Sequence, residues 1–326
     1  IQKSDEAKRC WNQDFNKPYQ PELTNSILSF NPSIVVIQFN FGFFSVSALS
    51  RLIRDMYAKN IDIIIDFHST ADVNKVDLKT SLSTITEDLA ICHRLLVHNL
   101  EDLDRMQSFG LLPNTSYYPH GVPQRPLVNR EKLKKRLELP NQPMIASFGF
   151  LLPHKGTLEL VKAFKRIREK RPDTYLLLLN ASHSDPLSTS YEKEIDKFIQ
   201  ENELEPWIIR IHDFLLDEQI FLLLEASEIT VFPYYNTPES ASGAVRYALA
   251  ANSLVVCTPV PIFDELKGTI HTLANKSPQN LAAEILNLLK DRISYNEKLD
   301  KQQKWIKANS WQRAAEKMRG IIEESI

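Results

Sequence analysis

Several short apolar runs in this chain lack the polar alternation of a half-buried strand, and this restricts the fold more than any other feature. Leu176–Leu179 is four leucines in succession, and residues 61–67 read IDIIIDF. A strand with no polar face is buried on both sides, as in a parallel sheet covered by helices. Strands are expected at 33–39, 61–67, 94–98, 144–150, 174–180, 207–211, 229–234 and 254–258. Helical apolar spacing lies between them, at 45–59, 81–91, 99–108, 157–171, 191–203, 217–227, 243–252 and 280–291. Strand and helix in alternation predict an α/β protein with parallel sheets and βαβ crossovers.

A chain of 326 residues is long enough for two such domains. Prolines at 113, 119, 123, 126, 140 and 143 crowd one region and break regular structure there. The expected division is therefore a first domain over 1–125, a linker helix within 126–142 (NREKLKKRLEL) and a second domain over 143–294. The tail, 295–326, reads as two further helices packing back across the junction, with Trp305 and Trp311 as anchors. The first domain shows three clear strands where a doubly wound domain wants five or more. The chain also opens at Ile1, in a polar segment, so a truncated first domain is expected.

Bulk properties exclude several classes. The net charge of −2 gives no electrostatic case for nucleic acid. Three widely spaced cysteines, Cys10, Cys92 and Cys257, fit free thiols in a reducing compartment and form no zinc pattern. With no apolar stretch near ~20 residues and no signal peptide, the expected location is the cytoplasm, with the inner face of a membrane as an option. The basic run Lys132–Arg136 is expected to solvate its helix; peripheral contact with a membrane surface is the second reading.

In doubly wound sheets ligands bind beyond the carboxyl ends of the strands. Two strand-to-helix loops have suitable contents. One is SFGFLLPHKG at 147–156, where a buried strand gives way to His154, Lys155, Gly156 and a helix with Thr157 as its expected N-cap. The other is VFPYYNTPESASGAVRYALAAN at 231–252, whose small residues at 240–244 let main-chain N–H groups approach a ligand at a helix start near Ser242 and Gly243. A helix N-terminus carries about half a positive charge, so with Lys155 the two loops could hold a diphosphate. An ordinary surface turn and an ordinary capped helix start fit the same residues.

FGFLLPHKG, followed by FPYYNTPESASGAVRYALAANSLVVCTPVPIFDEL, resembles the donor-binding half of retaining glycosyltransferases of the GT-B fold, family 4. Gly149, Lys155 and Gly156 match that family's G-R-x-x-x-x-K-G. Pro233, Glu239, Ala248, Leu249, Ala250, Val255, Thr258 and Glu265 follow its second motif. PHGVP at 119–123 resembles its P-N-G-V-D, and IQFNFGFFS at 37–45 a strand-loop of its first domain. The resemblance implies two Rossmann-like domains facing a cleft, and sugar transfer from a nucleotide-diphosphate sugar to a glycan or lipid-linked glycan, with retention and without a metal or other cofactor. Lipopolysaccharide, O-antigen or capsule synthesis is the implied setting, and further domains of the same polypeptide are compatible with it.

Carried over by position, Lys155, Gly156 and the amides of Ser242, Gly243 and Ala244 would hold the diphosphate. Glu239 and His68, the latter at the end of a first-domain strand, would face the donor sugar. Asn180 would line the nucleotide pocket. Two positions depart from the pattern: Phe150 stands where the family has Arg, and Tyr247 where it has a ribose-binding Glu. Arg246, a cation in the first turn of a helix, needs an anionic partner, either a phosphate, which would partly replace the lost Arg, or a carboxylate. Asp102 and Asp104 form a D-x-D within a helical segment, where both carboxylates cannot easily face one metal. A different enzyme on the same fold and a catalytically inactive binding module are the alternatives.

Overall fold

The computed structural model describes Cys10, Trp11 and residues 21–75, 78–183, 186–237, 239 and 241–324. The opening polar segment, apart from Cys10 and Trp11, and Ser240 of the small-residue loop lie outside the described residues. The chain forms two compact units, one of residues 1–119, 238–241 and 315–326, the other of 120–237 and 242–314.

The first unit runs α1 (Pro21–Ser29), β1 (Ile34–Phe39), α2 (Val46–Tyr57), β2 (Asp62–Phe67), β3 (Val73–Lys75), β4 (Leu78–Thr80), α3 (Thr86–Ala90), β5 (Arg94–Val97), α4 (Leu100–Ser108) and β6 (Thr115–Tyr117). Strands β1, β2, β5 and β6 form a parallel sheet in that order. β3 and β4 make a separate antiparallel hairpin. Helix α2 starts where Ser45 accepts a hydrogen bond from Ala48 N, an N-cap. It lays Leu49, Leu52, Ile53 and Met56 on the core, with Ile63 and Ile65 of β2 in the same cluster.

The second unit runs α5 (Arg130–Arg136), β7 (Met144–Phe150), α6 (Thr157–Lys170), β8 (Tyr175–Ala181), α7 (Pro186–Glu201), β9 (Ile208–Ile211), α8 (Asp217–Glu225), β10 (Ile229–Phe232), α9 (Gly243–Ala250), β11 (Leu254–Cys257), β12 (His271–Thr272), α10 (Pro278–Lys290) and α11 (Arg292–Ala308). α12 (Trp311–Glu323) follows. The six strands form one parallel sheet in the order β12-β11-β10-β7-β8-β9. The leucine run of β8 explains itself here. Leu176 and Leu178 point into the core shared with α6, α7 and α10, while Leu177 and Leu179 join the opposite core with α8 and α9. Fully burying one such side chain contributes about 1.5–3 kcal/mol, so the run holds both layers to the sheet.

One expectation needs correction. The basic run in α5 is not solvated throughout, because Lys134 is 1% exposed. Its ammonium donates to Gln142 O at 2.7 Å and to the Glu228 carboxylate at 3.0 and 3.2 Å, and Met144 N donates to the same carboxylate. The expected linker helix is thereby fastened to the starts of β7 and β10. Burial lowers the Lys134 pKa, and Glu228 works against that shift. In the tail, Trp305 packs on the second core, and Trp311 lies against Gly121, where a Cβ would stand 2.6 Å from its ring, with its amide donating to Val122 O at 3.2 Å.

Candidate functional site

A parallel sheet sends all its strands out at one edge, so the loops after β7, β8, β9 and β10 share the carboxyl edge of the second unit. After β7 the chain makes a short 3-10 turn, Pro153–Lys155, and enters α6 through Gly156. Gly156 sits at φ +69°, and a Cβ there would stand 2.0 Å from the Pro233 carbonyl oxygen. No other residue fits that backbone. The turn is thus pressed against the end of β10, and Tyr235 N donates to His154 O at 2.7 Å. Thr157 lies one residue inside the helix and makes no cap; Gly156 holds the cap position.

Lys155 is half-buried. Its Nζ lies 4.2 Å from the centroid of the Tyr234 ring, a cation–π contact. The ring is buried, and the Tyr234 carbonyl accepts from Thr258 Oγ1 at 2.7 Å. The two loops therefore form one structure, with Lys155 resting on the floor the second loop provides. The end of β7 also reaches the start of α9. Gly149 has φ +132°, and a Cβ on it would be 3.7 Å from Ala244 Cβ and 3.8 Å from Tyr234 Oη.

Helix α9 begins at Ser242, whose side chain makes no cap hydrogen bond. Space is open where a Gly243 side chain would be. The first-turn amides of α9 thus carry the partial positive charge of a helix start into a region without side-chain bulk. Arg246 is buried at 4% exposure. It pairs with Glu265 and donates from Nη1 to Ser242 O at 3.2 Å. Of the two partners open to it, the carboxylate is the one the fold supplies, and the guanidinium braces the α9 start from behind. Burial raises the Glu265 pKa, and Arg246 opposes it.

The departures take up aromatic packing. Tyr247 stacks on Phe221 with centroids 4.9 Å apart, and its hydroxyl donates to Asp217 at 2.8 Å. Its hydroxyl pKa is pushed up to about 12, first by burial and then by Asp217. Phe150 is 43% exposed and meets the rings of His183 and Phe214. Asn180 is buried and donates from Nδ2 to Gly149 O at 3.2 Å. Its Oδ1 has no hydrogen-bond partner among the described residues. Glu239 is exposed in the loop that groups with the first unit.

In the first unit, His68 follows β2 directly. Its amide donates to Phe39 O at 3.0 Å, and its Nε2 is 2.7 Å from Gln38 Oε1. Its ring centroid is 5.2 Å from that of His98, a fully buried residue just after β5 that reading along the chain did not single out. His98 Nδ1 contacts Tyr118 O at 2.7 Å, and its Nε2 is 3.2 Å from Asp66 Oδ1. The signal was present: D-F-H closes β2 and V-H closes β5, and neighbouring parallel strands end together. The D-x-D is structural. Asp102 is buried and bound to Thr70 and Arg105, while Asp104 is exposed.

Two parallel-sheet units of this construction define the GT-B class of glycosyltransferase. Residues 129–310 match the family model "Glycosyl transferases group 1", and the chain belongs to that family. Among solved structures it is similar to sucrose-phosphate synthase from Thermosynechococcus elongatus, at 16% identity over 93% of this chain and 77% of that one, TM-score 0.72. It is also similar to Anabaena Alr3699/HepE in complex with UDP, at 14% identity over 94% and 82%, TM-score 0.75. A third is the UDP-forming α,α-trehalose-phosphate synthase of Burkholderia xenovorans in complex with glucose-6-phosphate, at 13% identity over 92% and 76%, TM-score 0.69. No curated protein sequence matches the chain significantly.

Proposed function

We propose that this glycosyltransferase moves a sugar from a nucleoside-diphosphate donor to a glycan or lipid-linked glycan hydroxyl with retention, in bacterial surface-polysaccharide synthesis, and that it needs no metal at the diphosphate. The observation that carries the donor half of this reading is the fused pair of turns, with Gly156 wedged against Pro233 and Lys155 seated on Tyr234. Breaking the anomeric bond places negative charge on the leaving diphosphate, and preorganised donors stabilise it. Lys155 supplies an ammonium. The amides of Ser242, Gly243 and Ala244 supply neutral donors, and the α9 start adds its partial charge; Gly156, whose own N–H is taken by Pro153 O, shapes the turn instead of donating. Arg246 acts through Ser242 rather than on phosphate. Asn180 and Tyr247 line the nucleoside side; His68 and Glu239 face the sugar. Retention and the polysaccharide setting rest on the family-4 motif spacing, Gly149 to Gly156 and Pro233 to Glu265.

A donor screen by thermal shift tests the reading, beginning with UDP-glucose because two of the structural relatives carry UDP in their titles. A donor at 100 times its Kd adds about 2.7 kcal/mol of stability. Anomeric NMR of the product then reports retention. If no UDP-, GDP- or ADP-sugar raises the Tm, the chain is a binding module on a transferase fold. One observation favours that second reading: the Tyr247 hydroxyl, at the position of a ribose-binding carboxylate, is already committed to Asp217.

A further inference from the structure

Three rings meet at the carboxyl edge of the second unit's sheet. Phe150 ends β7, His183 follows β8 and Phe214 follows β9. Phe214 is 83% exposed, more than any other large hydrophobic side chain described, and Phe150 is 43% exposed. A lone apolar side chain in water is ordinary. Here two loops far apart in sequence bring a pair of exposed rings together, and the pair has the geometry of a clamp. The ring centroids are 6.5 Å apart and the planes 31° from parallel. A flat group touching both faces needs about 7 Å, twice the ~3.5 Å contact distance between carbon atoms. A side chain as open to solvent as Phe214 makes up that difference by a small rotation. His183 meets the Phe150 ring at 5.2 Å and 79°, an edge contact that steadies it.

The clamp adjoins the diphosphate cradle. Phe150 is next in the chain to Gly149, whose Cβ position lies 3.7 Å from Ala244 Cβ at the α9 start. The sheet order is β12-β11-β10-β7-β8-β9, so the cradle sits over β10 and β7 and the clamp over β7 to β9. At about 4.8 Å per strand, the two are one or two strand spacings apart, room for a single ribose. Phe150 also occupies the position where the family pattern has Arg, so the chain offers a flat apolar face where a cation would have met phosphate. The partner that suits such a face is planar, aromatic and uncharged. We propose that Phe150 and Phe214 clamp the nucleobase of the donor between their rings. This rests on the donor reading above and adds to it the side chains that hold the far end of the nucleotide.

The test is calorimetric titration of the full chain with UDP, ADP and GDP, and with inorganic pyrophosphate, which carries the charge and no base. The native chain should bind at least one of the nucleotides more tightly than pyrophosphate. Phe214→Ala and Phe150→Ala should each weaken that nucleotide by about 5- to 150-fold, the range for one base stacked on one aromatic ring. Pyrophosphate affinity should stay where it was. Phe214→Leu, apolar but without a ring face, should lose nearly as much as alanine, whereas Phe214→Trp should keep the affinity. Circular dichroism checks that these exposed positions leave the fold intact. Nucleotide affinity unchanged in Phe214→Ala overturns the clamp and leaves the cradle standing. Equal losses for nucleotide and pyrophosphate also overturn it, because the rings would then be shaping the cradle. Binding of neither probe by the native chain overturns the clamp and the donor reading together.

Discussion

At the carboxyl edge of the first unit's sheet the polar groups singled out above are side chains, Asp66, His68 and His98, whereas the candidate cradle at the same edge of the second draws on main-chain amides and the ammonium of Lys155. Both edges are made by parallel strands, yet they answer differently to substitution. A side-chain cluster loses its chemistry with one residue and keeps its backbone. A cradle of amides can be altered only by moving the backbone, so the residues that control it need not touch the ligand. Gly156 and Arg246 are of this second kind. One is dictated by the Pro233 carbonyl, and the other holds the carbonyl of Ser242.

The strongest way to break this contrast is Arg246→Met. Glu265 would be left buried and unpaired beneath the α9 start, and removing one partner of a buried pair costs about 3–5 kcal/mol. Urea denaturation measures this. The double change Arg246→Met with Glu265→Leu should recover most of the loss, since an apolar pair of similar volume is often neutral. If the single variant lies within about 0.5 kcal/mol of the native chain, the ordinary range for surface positions, the pair does not brace the helix.

Lys155→Ala sharpens the same contrast from the other side. Removing one preorganised donor from a developing anion costs about 10²–10³ in kcat. The cation–π contact with Tyr234 contributes only about 0.5–1 kcal/mol at a partly exposed site. Turnover should therefore collapse while the Tm moves by a few degrees. Equal losses in both would mean that Lys155 is a packing residue.

How much of this was legible follows from sequence distance. All eight expected strands form, and Ser242–Gly243 opens a helix as its small residues suggested. A buried parallel strand must carry an apolar run, so it declares itself locally. β6 is only Thr115–Tyr117 and β12 only His271–Thr272, too short for any run, and both take their hydrogen bonds from a neighbouring strand. The β3–β4 hairpin has no turn signal of the usual kind. In the candidate site, Lys155 and Gly156 were visible because one loop holds both. Arg246 was visible as a cation in need of a partner, but the choice of Glu265 depends on where the turn after β11 folds. His98 and Asp66 are 32 positions apart in the sequence and meet only because β2 and β5 pair.

Tyr247 offers the finest test, since it stands where the two kinds of control overlap, a side chain on the amide-bearing helix. Its hydroxyl donates to Asp217, so Tyr247→Phe removes one hydrogen bond, about 1 kcal/mol. The pKa direction makes that loss pH-dependent. Burial and Asp217 raise the folded value from 10 to about 12, so the folded state holds the phenolic proton longer than the unfolded chain does. Its contribution is complete below pH 10 and is lost as the pH rises toward 12. Tyr118, Tyr191, Tyr235 and Tyr295 are shifted the same way, so the native chain's alkaline melting curve is a sum over them. The informative quantity is the difference between native and Tyr247→Phe melting temperatures across that window. It should be positive and constant below pH 10 and shrink above it. A difference that stays constant through the window would mean that the Tyr247 hydroxyl is neither buried nor bonded to Asp217 in solution, leaving it available to a nucleoside.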